Sequence, residues 1–435
     1  MTGHPNFKVD IYQNEYLPEG AREVNAIVTV TSDAASPTAA AAVPTGTAAA
    51  EVIIVDCSGS MDYPRGKMIA ARQATAAAID ALREGVAFAV IAGTDQARLV
   101  YPQQPGLVPA DARTRAAAKA SVNNLRAGGG TAIGRWLSLA NTLFSGYGGN
   151  AIKHAILLTD GRNEHERPED LARTLQACEG RFVCDCRGVG TDWEVEELRR
   201  VSTALLGTVD IVADPSGLTA DFTAMMNSAM SKAVADVVLR LWTPQGADIK
   251  FVKQVAPEMA DLTARRMPVG AQVGDYPTGS WGTESRDYHV CVEVKPAGIG
   301  DVMLAGRASL VLKGTEDEVL GQGLVKATWT DDMVLSTRIN PEVAHYTGQA
   351  ELADVIQEGL EAHRTGDLDT ATAKLGRAVA LATETGNTDT AALLAKVVDI
   401  DDPVTGTVRL KAKVADVDAM TLDTRSTKTS RVRKS

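Results

Sequence analysis

The sequence lacks any apolar run approaching the roughly 20 residues that a membrane-crossing helix needs. It also lacks a basic and hydrophobic leader, opening instead on the polar Met1-Thr-Gly-His-Pro-Asn. Without a span or a leader, a cytoplasmic protein is expected. Cysteine is scarce and odd in number, five in 435 residues, which argues against a fully paired disulfide framework. Cys178, Cys184 and Cys186 lie close in sequence, but no fourth ligand stands at a standard zinc spacing. Cys184 and Cys186 share one face of a strand-like run with Phe182, so buried reduced thiols are expected. Basic charge is outweighed: 44 Lys and Arg against 55 Asp and Glu give −11, a poor match to nucleic acid. Aromatic residues are only 4%, so the core must come from small aliphatic side chains, and the abundant alanine suits helices packed closely on a sheet. No Gly-Lys-Ser/Thr ending and no GxGxxG follows the first buried strand, which argues against nucleotide binding. No Ser/His/Asp or Cys/His constellation is evident, and no catalytic base is assigned.

What is present centres on Glu51-Val-Ile-Ile-Val-Asp56-Cys-Ser58-Gly-Ser60-Met61. The β-branched run reads as a buried parallel strand, and its end carries one carboxylate and two hydroxyls within five residues. In an open α/β sheet, ligand groups belong just past the carboxyl ends of the strands. Gly128-Gly-Gly-Thr131 is a tight turn that presents a threonine at a helix start. His154-Ala-Ile-Leu-Leu-Thr159-Asp160-Gly161 is a second buried strand ending in an aspartate. Taken singly, these are ordinary features: turn serines, an N-cap threonine, an Asp-Gly turn. Taken together, they are oxygen ligands for a hard divalent cation such as Mg²⁺ or Mn²⁺. His165, just past Asp160, is expected to be a solvated loop residue rather than a ligand.

The three stretches resemble the metal-ion-dependent adhesion site of von Willebrand factor type A domains: Asp-x-Ser-x-Ser, a lone Thr, then an Asp after a strand. That resemblance implies that Ser58, Ser60 and Thr131 bind the metal through hydroxyl oxygens, and that Asp56 and Asp160 bind it directly or through water. It also implies one coordination position left for an acidic group of a partner. All five positions match.

The fold expected is α/β: a doubly wound, Rossmann-like domain inserted in a β-sandwich, with a C-terminal helical hairpin. Residues 1–49 hold two strands (7–12 and 23–30) and an Ala/Thr/Ser/Pro linker over 33–49. Residues 50–235 alternate strands and helices and form the metal domain. Residues 236–345 give five candidate strands, at 237–242, 248–255, 287–294, 302–312 and 320–330. The two N-terminal strands cannot bury a face alone and are expected to join them. Residues 346–400 are helical, and one stretch at 366–378 resembles half of a tetratricopeptide repeat. Residues 401–435 are expected to be a disordered tail. From 421 onward, five basic residues against Asp423 give it +4, and Thr424, Thr427 and Thr429 are candidate kinase targets.

The function expected is a metal-dependent, non-enzymatic scaffold that captures an Asp or Glu of a protein partner in bacterial signalling or complex assembly. By resemblance, the partners are kinases, phosphatases or forkhead-associated proteins. Other readings are a subunit of a Mg-dependent ATPase or chelatase-type complex, a metal-dependent hydrolase, and an envelope adhesin. Because Asp160 lies beyond its strand, Asp160→Ala is expected to leave the fold intact.

Overall fold

The computed structural model describes residues 5–33, 48–63, 66–148, 151–314 and 316–431. The expected linker therefore lies, except for its ends, outside the described residues. The chain divides into two units, one of residues 1–40 with 236–435 and one of residues 41–235.

The first unit begins with β1 (Asn6–Gln13), β2 (Tyr16–Leu17) and β3 (Glu23–Asp33), the two longer ones being where apolar alternation is clearest.

The second unit is a doubly wound domain. Its strands are β4 (Ala49–Asp56), β5 (Ala87–Gly93), β6 (Ala97–Tyr101), β7 (Val108–Pro109), β8 (Ile152–Thr159), β9 (Val183–Val189) and β10 (Val209–Val212). The sheet runs β10-β9-β8-β4-β5-β6, with β7 pairing β5. Strands β10, β9, β8, β4 and β5 are parallel. Every residue of β4 is buried, as the β-branched run at 52–55 in a central parallel strand requires, and the strand's two carboxylates, Glu51 and Asp56, are buried with it. One face is covered by α1 (Lys67–Ala81), α2 (Ala112–Val122) and α6 (Leu218–Met230). Small residues such as Ala71, Ala74 and Ala78 let α1 lie close to the strands. The remaining helices are α3 (Ile133–Ser145), α4 (Pro168–Cys178) and α5 (Val195–Ala204), with Trp136, Phe144, Phe182 and Trp193 buried among them. The chain leaves β4 toward β5 but returns to β8 on its other side. The order therefore reverses between β4 and β8, and a doubly wound sheet opens a crevice at that point. All five cysteines are free and buried.

The chain returns to the first unit through β11 (Val234–Trp242), β12 (Asp248–Ala256), β13 (Ala260–Asp261), β14 (Met267–Gly270), β15 (Val273–Trp281), β16 (Glu284–Glu293), β17 (Val302–Leu312) and β18 (Glu318–Trp329). They build two sheets, β1-β3-β16-β12-β13 and β14-β15-β11-β17-β18-β2. The N-terminal strands enter both. β3 lies between β1 and β16, and β2 pairs with β18 at Trp329↔Leu17. The sheets face each other through Val9 and Ile11 against Gly321 and Gly323, and through an edge-on Phe7–Trp281 pair at 5.7 Å.

After α7 (Met333–Ser336) come α8 (Pro341–Thr365), α9 (Leu368–Glu384) and α10 (Thr388–Val397), then β19 (Val398–Asp402), β20 (Thr407–Leu410) and α11 (Asp416–Arg425). The helical part is thus more than a hairpin: α8 to α11 and the β19–β20 hairpin share one apolar cluster that includes Leu360, Leu375, Val408 and Leu422. The disordered tail expected over 401–435 is corrected as far as residue 431. Leu422 is fully buried and anchors α11. The chain beyond it is tied to the sandwich, with the Met259 amide donating to the Thr427 carbonyl at 2.8 Å. Thr424 is buried and its hydroxyl donates to the Met420 carbonyl; that of Thr429 donates to the Val255 carbonyl at 2.6 Å. These two hydroxyls are turned inward, not presented as an open kinase substrate.

Candidate metal centre

Asp56 ends β4 and Asp160 follows β8, so the two carboxylates flank the crevice where the sheet order reverses. After Asp56 the chain turns sharply, because the Asp56 carboxylate accepts the Ser58 amide at 2.7 Å. Its other oxygen accepts the Thr159 hydroxyl at 2.5 Å, which locks the end of β4 to the end of β8. Burial pushes the Asp56 carboxyl up to about 6, although the bonds from Ser58 and Thr159 favour its ionised form.

The hydroxyls form a chain. Ser58 Oγ and Ser60 Oγ are 2.9 Å apart, and Ser60 Oγ donates to Asp160 Oδ1 at 2.7 Å. Thr131 arrives from the glycine turn, which is stitched to the serine loop by two backbone bonds: Gly59 N to Gly129 O at 3.0 Å, and Gly128 N to Cys57 O at 2.8 Å. Gly161 reports the convergence. A Cβ placed there would stand 3.2 Å from Ser60 Oγ, 3.3 Å from Thr131 Oγ1 and 3.9 Å from Ser58 Oγ. The three hydroxyls therefore surround one small space that a side chain would fill. All five residues singled out in the sequence come together. Their donors are all oxygen, two carboxylates and three neutral hydroxyls, which suits a hard divalent cation. Among the described residues, no group of three or more His, Cys, Asp or Glu is placed to hold a metal.

The structure adds residues that the pattern did not single out. The loop after Asp160 caps α3, the helix that follows Thr131, from outside. Asn163 Oδ1 accepts the Ile133 amide at 2.8 Å, and Glu166 accepts the Gly134 amide at 2.7 Å. These amides are among those a helix start leaves unpaired. His165 is exposed as expected, yet its Nδ1 accepts the Thr131 amide at 3.2 Å. Residue 130 must be glycine for this, since a Cβ there would overlap the His165 imidazole. The second addition is Lys67, at the start of α1 and only 3% exposed. Its ammonium lies 2.7 Å from Asp160 Oδ2 and 3.3 Å from Asp192 Oδ2. A charge near the front of a helix ordinarily reads as solvated, so neither its burial nor its partner was legible.

Comparison with known proteins identifies the family and the fold. A family model described as von Willebrand factor type A domain matches residues 50–211, and one described as von Willebrand factor type A C-terminal domain matches residues 380–426. A solved structure described as von Willebrand factor type A from Catenulispora acidiphila is 55% identical, with a TM-score of 0.94 over 99% of this chain and 98% of that one. The ArnB paralog VWA2 from Sulfolobus acidocaldarius is 14% identical with a TM-score of 0.61, over 97% of this chain and 98% of that one, a likeness of fold alone. A Synechocystis protein described as uncharacterized is 29% identical over 217 residues, 49% of this chain. The chain matches about half the length of that curated relative, 50%.

Proposed function

Because the chain belongs to the von Willebrand factor type A family, whose domain is a metal-dependent protein-interaction module, we propose that it is a scaffold that captures an Asp or Glu side chain of a protein partner through Mg²⁺ or Mn²⁺ at Asp56, Ser58, Ser60, Thr131 and Asp160. The observation that carries this reading is the convergence of three hydroxyls on the space beside Gly161, flanked by Asp160. A divalent ion held largely by neutral hydroxyls stays electrophilic and accepts a carboxylate in place of a water. The chain's own residues do the rest. Asp56 fixes the serine loop through the Ser58 amide, Thr159 ties the two strand ends, and His165 with Asn163 holds Thr131 at the rim.

The family's domain is generally a non-enzymatic module, and we extend that to this chain. No helix among the described residues is long and apolar enough to cross a membrane. We place the scaffold in the cytoplasm, in bacterial signalling or complex assembly, with kinases, phosphatases or forkhead-associated proteins as the partners to test first.

The experiment has two arms. Calorimetric titration of the full chain with Mg²⁺ and with Mn²⁺ should show one site, lost in Asp160→Asn. Pull-downs from host lysate in Mg²⁺ and in EDTA should differ, with the Mg²⁺-dependent proteins absent when Asp160→Asn is the bait. Absence of metal binding, or the same proteins retained in EDTA, would overturn the reading.

A further inference from the structure

Lys67 is buried to 3% exposure, and a lysine is seldom buried so far unless it is paired. Its pairing divides the Asp160 carboxylate in two. Oδ1 accepts the Ser60 hydroxyl on the side of the hydroxyl cradle, and Oδ2 accepts the Lys67 ammonium at 2.7 Å on the other. The arrangement orients the carboxylate, with one oxygen turned to the cradle and the other held away from it. Asp192, the second partner at 3.3 Å, has a side chain 68% exposed. Its charge is screened by solvent and weighs far less than those of the buried groups.

Charge counting then gives Lys67 a definite consequence. The buried carboxylates of Asp56 and Asp160 contribute −2, and Lys67 brings the site to −1. A divalent cation takes it to +1, and a carboxylate joining the cation takes it to zero. Without Lys67 the same three states carry −2, 0 and −1. An unbalanced charge in a low-dielectric site is costly. With Lys67 the neutral state is the one that holds metal and acid together; without it, the neutral state holds metal alone.

We infer that Lys67 couples the two binding events at this site: it weakens binding of the metal by itself and strengthens capture of an acidic group by the metal-loaded site. The inference rests on the reading of Asp56, Ser58, Ser60, Thr131 and Asp160 as the metal ligands. By linkage, the carboxylate must tighten the metal by the same factor as the metal tightens the carboxylate. Such a scaffold holds its ion firmly only while it holds its partner.

The test uses the full-length chain, Mn²⁺ followed by electron paramagnetic resonance, and sodium acetate as the carboxylate probe at fixed ionic strength. In the wild type, acetate should tighten Mn²⁺. Lys67→Met and Lys67→Gln should bind Mn²⁺ alone roughly tenfold tighter or more and lose most of the tightening by acetate. Lys67→Arg keeps the charge and should retain the coupling. Having two neutral variants, one apolar and one polar, guards against a failure of either to fold. Equal Mn²⁺ affinity and equal acetate coupling in wild type and neutral variants would overturn the inference and leave the proposed metal site standing. Absence of Mn²⁺ binding in every protein would overturn the metal site and the inference with it.

Discussion

Thr131 and His165 hold each other by a pair of hydrogen bonds. The Thr131 amide donates to His165 Nδ1 at 3.2 Å, and the His165 amide donates to the Thr131 carbonyl at 3.0 Å. The glycine turn before Thr131 has little side-chain packing of its own, so this clasp sets where the threonine hydroxyl sits. Groups that orient metal ligands typically contribute about 10–100-fold to metal affinity. His165→Ala should therefore bind Mn²⁺ about tenfold more weakly with little change in stability, as read by metal titration beside a denaturation curve. Unchanged affinity would show that the turn positions Thr131 unaided.

Gly161→Ala should act in the cradle itself. The added methyl would meet Ser60 and Thr131 at 3.2 and 3.3 Å. The Gly161 backbone is not in the left-handed region, so alanine is not strained there. Metal affinity should fall about tenfold or more, which corresponds to about 1.4 kcal/mol, while the melting curve shifts little. Calorimetric titration of the variant checks this, and full retention of metal binding would place the ion elsewhere.

Lys67 changes what Asp160→Ala is expected to do. From the sequence, Asp160 lies beyond its strand and its removal leaves the fold intact. In the structure that removal strands a buried ammonium beside Asp192 alone. Breaking a buried pair from one side costs about 3–5 kcal/mol. The remaining Asp192 contact puts this case near 3 kcal/mol. Asp160→Ala should be destabilised by that amount in urea, and Lys67→Met added to it should restore most of the loss. Additive losses in the double variant would show that the pair does not stabilise the fold.

Much of the site was legible because a parallel strand buried on both faces leaves an unmistakable apolar run, and Asp56 and Asp160 stand where those runs stop. The sandwich was less legible. Strand β15 was not foreseen because Gly274, Pro277 and Gly279 interrupt it, although Tyr276, Thr278 and Trp281 are buried. Helix α11 was hidden for a related reason. Its fully buried apolar contact is the single residue Leu422, set among threonines and charges, too sparse for a period to show. Lys67 and His165 were missed as partners because both depend on what the fold brings beside them.

A buried charge network at His154 gives a pH test. His154 sits on β8 with Glu51 at 2.9 Å and Asp185 at 3.0 Å, on neighbouring parallel strands. Burial alone would push the imidazole down, but the two carboxylates outweigh it and raise it to about 10. The unfolded value is near 6.5. A value raised on folding stabilises fully below about pH 6.5 and loses that stabilisation as pH rises through about 10. His154→Gln leaves Glu51 buried without its cation, so the wild type should exceed it by about 3–5 kcal/mol at pH 6.5. That gap should narrow toward pH 10. Denaturation curves at pH 6.5, 8 and 10 check it, and a gap independent of pH would mean that the folded imidazole is neutral.

The last prediction concerns the segment after α11, which the sequence presented as a free basic end. Residues 426–431 cross the first unit and bond at nearly every step. Gln357 donates to Ser426 Oγ at 3.1 Å, and the Thr427 carbonyl accepts the Met259 amide at 2.8 Å. The Thr429 amide donates to the Pro257 carbonyl at 3.1 Å, and its hydroxyl donates to the Val255 carbonyl at 2.6 Å. His345 Nε2 donates to the Ser430 carbonyl at 2.7 Å, and Arg431 lies 3.5 Å from Asp287, the carboxylate that also accepts the Tyr346 hydroxyl. The segment thus fastens the front of α8 to strands β12 and β16. Each bond contributes about 0.5–1.5 kcal/mol, which the roughly 1–2 kcal/mol per residue that ordering the backbone costs largely cancels. Truncation after Arg425 should therefore cost little global stability, about 1 kcal/mol, and act mainly by loosening the groups that the segment ties. Thr429→Val alone should cost about 1 kcal/mol. Hydrogen exchange should show the loss at β12 and the start of α8 while the 41–235 unit keeps its protection. For the same reason, a kinase acting on the folded chain should leave Thr424 and Thr429 unmodified, as intact mass and peptide mapping would report. A truncated chain as stable as the full one, with exchange unchanged at β12, would show that these bonds form without fastening anything.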